Sequence, residues 1–403
     1  MFSAHRFTSE LPTERLCDTA GELPILGKTL TEMQDWAVKL NGGSWATDGQ
    51  AQLWIREDVY VSHQAIAVFV AAVHGKEGDY QWRAEGAAGN FAEEIAFCDQ
   101  APMLVWLSTA GEYDSERLSK AEVLEVDVKT YPIAMPAPQS DSGVQLVSLP
   151  LTDAVVIPMA HWSQTLWANL LGLVPYLWRE LVGSNVVTMI WRLGLAMVMT
   201  LSKDPAKLIR QFVRRGKGCK IHPTAVVEGC ILGDGVKIGA NAVVRGSVLR
   251  DGVRVEELAI VEGSVLSAGA VVQRQAMVKY AVLDESASVA GVVQLGVLGV
   301  QSSVKRGGYL MDMNFAGPVQ VLKNGDPLNA PLGLIGCGVG EGTTIGLGVA
   351  VAAGRWVPPN VKVIMNPDQM LRSTKLDGKC IQDDDSKQVV AVKQGKLRGL
   401  DVR

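Results

Sequence analysis

The chain has 403 residues, of which 48% are hydrophobic, only 20% charged and 6% aromatic, with 42 glycines and a formal net charge of −4. That length suits two or three domains with packed cores, and so aliphatic a chain with so little net charge is not disordered. Glycine does not recur at every third position, which excludes a collagen-like rod, and the slight acidity argues against a nucleic-acid partner held by charge.

In chain order, residues 1–150 alternate helical and strand signals and predict an α/β domain. The first 30 residues show no apolar core behind a basic start, so no secretory leader is expected and a cytoplasmic location is. Apolar residues at 30, 33, 36, 37 and 40 give Leu30–Leu40 one helical face. Leu53-Trp54-Ile55 reads as a strand, and Ser62 offers an N-cap to an apolar helix over 64–73. Residues 103–107 and 123–126 read as further strands.

Residues 151–218 form an apolar and basic helical connector. Its apolar runs, 165–178 and 186–201, fall short of the roughly 20 residues a membrane span needs, and Arg179-Glu180 and Arg192 interrupt them. Residues 203–220 then carry seven cations against one acid, with Lys207, Arg210 and Arg214 on one helical face and Leu208, Ile209, Phe212 and Val213 on another. Beside Trp162, Trp167, Trp178 and Trp191, such a helix fits two roles. It is either a linker packing the α/β domain against the end of the C-terminal half, or a segment whose three cations meet an anionic membrane surface, here the inner one.

From residue 219 the chain repeats every 17 residues. Cys230-Ile231-Leu232, Ser247-Val248-Leu249, Ser264-Val265-Leu266 and Ala281-Val282-Leu283 form one series, and Val236-Lys237-Ile238 through Ala287-Ser288-Val289 a second. Ala225-Val226-Val227 through Ala276-Met277-Val278 form a third. Each tripeptide ends in a large aliphatic residue and begins with a small residue or valine, and period-2 alternation turns both to one face of a short strand. Three such strands per turn make a triangular coil with a narrow aliphatic interior. Glycines 235, 252 and 269 suit its tight corners, and Cys219 and Cys230 fall in the small inward slot. Glu228, Arg245, Glu262 and Lys279, also 17 apart, predict an alternating charge ladder along the stack.

This repeat, opening with Ile221-His222-Pro223-Thr224-Ala225, resembles the hexapeptide repeat of left-handed parallel β-helices, shared by hexapeptide acyltransferases and the C-terminal domains of sugar-nucleotide pyrophosphorylases. The 17-residue turn favours the pyrophosphorylase branch. The expected β-helix spans 219–365, resuming at Val339, Ile345, Val351, Val357 and Val363 after an excursion over about 296–331. Residues 366–403 read as a polar tail. The resemblance implies a homotrimer.

A second resemblance lies in Leu23-Pro24-Ile25-Leu26-Gly27-Lys28-Thr29-Leu30 followed by an amphipathic helix, which is similar to the segment after the signature loop of sugar-phosphate nucleotidyltransferases. It implies an anion contact at Lys28. That family's glycine-rich phosphate loop has no counterpart, since Gly21 and Gly27 are the only glycines before Gly42, and so the domain is expected to be reduced.

The fold expected is therefore an α/β domain, a helical connector and a left-handed parallel β-helix of 17-residue coils. Hexapeptide acyltransferases use a histidine base on the coil. His222, at the first corner, and His161, before the apolar helices, are the candidates here, and His222 also reads as a plain corner residue. The six cysteines, Cys17, Cys98, Cys219, Cys230, Cys337 and Cys380, include no CxxC pair, so no metal site is expected. Residues 338–348 (GVGEGTTIGLG) keep the coil spacing and read as corner glycines, not a phosphate loop. No cofactor is indicated. Three functions stay open: a catalytically reduced sugar-nucleotide or hexapeptide transferase-like protein of envelope glycan or lipid metabolism, an acyltransferase with its base off the coil, and a scaffold docked on the membrane surface. Their partners would be a nucleotide sugar, an acyl donor and an anionic membrane.

Overall fold

The computed structural model describes residues 1–8, 20–97, 101–136, 146–183, 186–200, 211–314, 317–323 and 325–366. Residues 367–403, and with them the expected polar tail and Cys380, lie outside the described residues, as do Cys17 and Cys98.

The N-terminal part is a six-stranded mixed sheet. Ser3–Phe7 lies between parallel Ser44–Trp45 and Ala51–Arg56, then Leu104–Gly111 runs antiparallel, followed by Tyr80–Ala84 and Glu122–Val126. Helix α1 (Leu30–Leu40) begins at a capping box, in which the Thr29 hydroxyl accepts the Glu32 amide and the Glu32 carboxylate accepts the Thr29 amide. Helix α2 (His63–Val73) is capped by Ser62, whose hydroxyl accepts the Ala65 amide. Helices α3 (Gly86–Ala96) and α4 (Ser115–Lys120) complete the domain. Its pairing runs past residue 150, because Val156–Pro158 pairs antiparallel with Val59–Val61.

The C-terminal part is a left-handed β-helix of three parallel sheets. Face one runs from Val213–Arg215 through Cys230–Leu232 to Trp356–Val357, face two from Lys220–Ile221 to Lys362–Val363, and face three from Val226–Glu228 to Ala350–Val351. Inward side chains from all three, such as Leu249, Val255 and Val261, are completely buried in one core. The coil begins at Val213, so Arg214 is a strand residue and not part of a basic helix; Lys207 and Arg210 lie outside the described residues. The excursion is also shorter than the sequence indicates. Leu283 pairs with Leu298 and Val289 with Val304, fifteen residues on instead of 17, so one corner has lost two residues and the following coil drops out of phase. Coiling continues to Leu310. Only then does the chain leave, through a hairpin of Gln320–Lys323 and Asp326–Asn329, and return at Gly338–Val339.

Helix α5 (Trp162–Leu181) joins the two parts along their length, not at the end of the coil. Its 20 residues span about 30 Å. Trp162 packs on Gly338, and the Glu180 carboxylate pairs with Arg214 in the first coil. Six coil steps of about 4.8 Å separate those partners, so helix and stack match in length. On face one the outward residues Ile231, Val248, Val265, Val282 and Val297 are apolar and buried, sharing a core with Leu166, Trp167, Leu173 and Leu177 of α5 and with Leu23, Ile25 and Leu30 of the α/β domain. The outward residues of face two include Lys220, Lys237 and Arg254, which are exposed.

Candidate functional site

The junction of α5 with the two domains gathers most of the unusual chemistry. Pro24–Ile25 and Lys28–Thr29 form a two-residue hairpin whose turn, Leu26-Gly27, has φ of 51° and 76°. Two positive φ values in sequence are the signature of a tight hairpin and favour glycine. A Cβ on Gly27 would also lie 2.5 Å from the Arg250 Cδ of the β-helix. Asn169 of α5 clasps this turn. Its Oδ1 accepts the Leu26 amide at 2.7 Å, while Nδ2 donates to the carbonyls of Pro24 and Thr165, both at 2.8 Å. Asn169 is 143 residues from its hydrogen-bond donor, and no local pattern announces it.

Lys28 leaves the turn beside Trp36, with Nζ 6.0 Å from the ring centroid, and the Arg179 guanidinium stands 5.2 Å from the same centroid. Both distances are within cation–π reach. His63 meets Trp36 edge-on, and burial, aided by the Arg179 charge, pushes its pKa down to about 4.

His161 is the N-cap of α5. Its Nδ1 accepts the Ser163 amide at 3.2 Å, which puts the ring proton on Nε2, and Nε2 donates to the Leu322 carbonyl of the excursion hairpin at 3.0 Å. Burial drives its pKa down to about 4. The ring therefore ties the excursion to α5, and neither nitrogen is placed to take a proton from a substrate. His222 repeats the local geometry in solvent. Its Nδ1 accepts the Thr224 amide at 3.2 Å and lies 2.9 Å from the Thr224 hydroxyl. It borders an open groove on face two with Lys220, Lys237, Arg254 and Glu257. The structure thus separates Lys28, His161 and His222 instead of bringing them into one site.

Cys230 and Cys337 are buried in the coil, where desolvation pushes both thiols up to about 12, far from the reactive range. Among the described residues, no three His, Cys, Asp or Glu side chains are grouped to hold a metal ion. Gly342 and Gly348 are corner residues with positive φ, but Gly338 is a strand residue beneath Trp162.

Two apolar features remain. A cavity of about 420 Å³ separates the second half of α5 from the corner column Gly229, Gly246 and Gly263. Helix α6 (Val186–Thr200) meanwhile turns an apolar stripe to solvent: Val187, Ile190, Trp191, Leu195 and Val198 are 78, 63, 69, 47 and 71% exposed. Their spacing of three and four places them on one helical face. Its single charge, Arg192, donates back to the Leu181 carbonyl at the end of α5.

The β-helix has recognisable relatives. Residues 216–246 match the family described as bacterial transferase hexapeptide (six repeats), and 240–303 match GlmU-like, C-terminal hexapeptide. Among solved structures, the chain is similar to a protein described as an acetyltransferase from Bacillus cereus, at 20% identity and TM-score 0.16, over 38% of this chain and 79% of that one. It is also similar to the polysialic acid O-acetyltransferase OatWY, at 18% identity and TM-score 0.17, over 47% of this chain and 92% of that one. The UDP-N-acetylglucosamine O-acyltransferase LpxA of Moraxella catarrhalis gives 13% identity and TM-score 0.13, over 37% of this chain and 66% of that one. No curated protein sequence matches. The stacked sheets and the two matched segments together identify the C-terminal part of the chain as a hexapeptide-repeat left-handed β-helix.

Proposed function

We propose that the chain is a catalytically reduced, hexapeptide transferase-like protein of envelope glycan or lipid metabolism that works against an anionic membrane surface on the cytoplasmic side. The observation that carries this reading is the outward stripe of α6. A helix normally turns such residues inward, and a contiguous exposed apolar face marks a binding surface. At 15 residues α6 is about 22 Å long, short of the roughly 30 Å hydrocarbon layer, so it suits the plane of the interface, with Trp191 at headgroup depth. Among the described residues no helix is long and apolar enough to cross a membrane. Exposed Arg215, Lys217 and Lys220 supply cations close after it in the chain, and Lys207 and Arg210 add to them in sequence. Arg214, spent on Glu180, does not.

The reading of reduced catalysis is supported by His161 and His222, whose Nδ1 atoms are each engaged by a backbone amide. The α/β domain is read as a reduced nucleotidyltransferase-like unit, for which a nucleotide sugar is the ligand to try. A homotrimer is supported by face three, whose outward residues Val226, Val243, Ile260, Met277, Val292 and Tyr309 are apolar and incompletely covered.

Co-sedimentation with phosphatidylglycerol vesicles tests the reading. Binding at low salt that weakens as salt rises, and that is lost in an Ile190→Ser/Trp191→Ser double variant, is expected. Wild-type protein remaining in the supernatant at low salt overturns it. So does a stripe that serves only to pair two copies, seen as a dimer that ignores vesicles and dissociates in the same variant.

A further inference from the structure

The cavity beneath α5 is a space that the rest of the packing would not leave. Protein interiors fill to the density of organic crystals, yet about 420 Å³ stands open between Leu170, Leu173, Leu177 and Trp178 above and the corner glycines below. Among the described residues no charged side chain lines it.

The glycines account for the room. Gly229, Gly246 and Gly263 occupy one corner of successive coils with φ of 61°, 53° and 56°. That conformation favours glycine, but the next two coils place Tyr280 and Leu295 at the same corner with φ of 50° and 48°. The corner therefore accepts side chains. Where Tyr280 follows, its ring covers Gly263, leaving a Cβ there only 2.6 Å from the ring. At Gly246 a Cβ would meet nothing within 4 Å. The space is thus left by small residues and closed on one side by Tyr280 and Leu295, which also line it.

Trp167, 3% exposed, also lines the cavity, but its indole nitrogen is buried out of a ligand's reach, so recognition rests on the apolar walls.

We propose that the cavity binds a single aliphatic acyl chain, its tail against the apolar walls and its polar end toward solvent. The walls supply apolar burial along the coil axis, as the walls of small-molecule sites ordinarily do. Val174 and Trp178, half exposed on α5, also line it and give the chain an entrance from solvent. The inference deepens the membrane reading, in which the chain would come from the bilayer, but its test needs no bilayer.

Full-length protein is titrated with a fluorescent polyene fatty acid at monomeric concentrations in vesicle-free buffer, reading energy transfer from the tryptophans. Saturable binding of one chain per protein is expected. Leu170→Trp and Gly246→Leu, which fill the space from above and below, should weaken it by about tenfold or more, the burial of two or so methylenes. Circular dichroism identifies any variant that does not fold, and solvent extraction of the purified wild-type protein, followed by mass spectrometry, looks for a retained acyl chain independently of any variant. Competition by a free fatty acid, an acyl thioester and a monomeric phospholipid separates a donor from a lipid. Absence of saturable binding together with no extracted chain overturns the proposal, as does undiminished binding in both folded filling variants. Either result leaves vesicle binding intact if the membrane reading holds, whereas loss of vesicle binding with acyl binding retained overturns that reading alone.

Discussion

Trp162 rests so closely on Gly338 that a methyl group at that glycine would stand 2.7 Å from the Trp162 Cδ2, and 2.6 Å from the Cε3 of Trp356. Gly338 has strand geometry, so the demand for glycine here is one of contact and not of backbone conformation. Gly338→Ala should therefore destabilise the protein by about 1–3 kcal/mol, the range for overpacking a tight core. A urea titration reads this as a lowered midpoint at unchanged slope, and an unshifted midpoint would show that α5 can lift from the coil without cost.

The buried histidines set an acid limit. His161 and His63 are pushed down to about 4 in the folded chain, chiefly by burial, against an ordinary value of 6.5. Between those values the unfolded chain binds protons that the folded chain excludes. Stability is then complete above pH 6.5 and drains as the pH falls toward 4, by up to about 1.4 kcal/mol per pH unit for each ring. His161→Gln removes one of them. Its unfolding free energy should lie about 1–2 kcal/mol lower at pH 7, through loss of the cap and the Leu322 hydrogen bond, and should fall less steeply across that window. Parallel wild-type and variant curves would refute a buried neutral ring.

On face three the charge ladder forms as the 17-residue spacing predicts. Arg245 Nε lies 2.9 Å from Glu228 and Nη1 3.4 Å from Glu262, whose other oxygen is 3.0 Å from Lys279 Nζ. With Arg245 nearly half exposed, solvent screens these pairs. Arg245→Gln should cost only about 0.3–1 kcal/mol, and less in high salt. Thermal denaturation at low and high salt checks both the size and the direction.

Equivalent outward positions on different faces should respond very differently. Val265→Asp would bury a carboxylate under α5 and should cost more than about 3 kcal/mol. Lys237→Asp, at the matching place on face two, faces solvent between Lys220 and Arg254 and should stay within about 0.5 kcal/mol. Denaturant midpoints of the two variants make the comparison, and equal losses would contradict the coverage of face one by α5.

What could be read from the chain depended on how local its cause was. The inward aliphatic residues recur every 17 positions because each coil repeats one local geometry, so the β-helix is plain in residues 219–289. Two missing residues at one corner were enough to hide the next coil, since periodicity carries no signal across a slip in phase. The apolar residues Ile231, Val248 and Val265 stood in the same tripeptides, but their meaning depends on a helix some 60–100 residues away. Helices α1 and α2 were legible for the same reason as the coil, α1 from the spacing of its apolar face and α2 from Ser62 three residues before the amide it caps. The Asn169 clasp and the cavity over Gly246 arise only where distant segments meet, and the His161 tautomer follows from a backbone amide, which composition does not display.

A bare coil of stacked repeats is held only by neighbour-to-neighbour contacts and can fray one turn at a time from its ends. Here α5 is fastened to the first coil through Glu180 and Arg214 and to a coil six steps away through Trp162 and Gly338. The turns between those fastenings cannot peel off singly without releasing the helix that also holds the α/β core. The arrangement converts a one-dimensional array into a unit that melts all together, and it fixes the coil number, since a turn added between those two fastenings would outrun the helix.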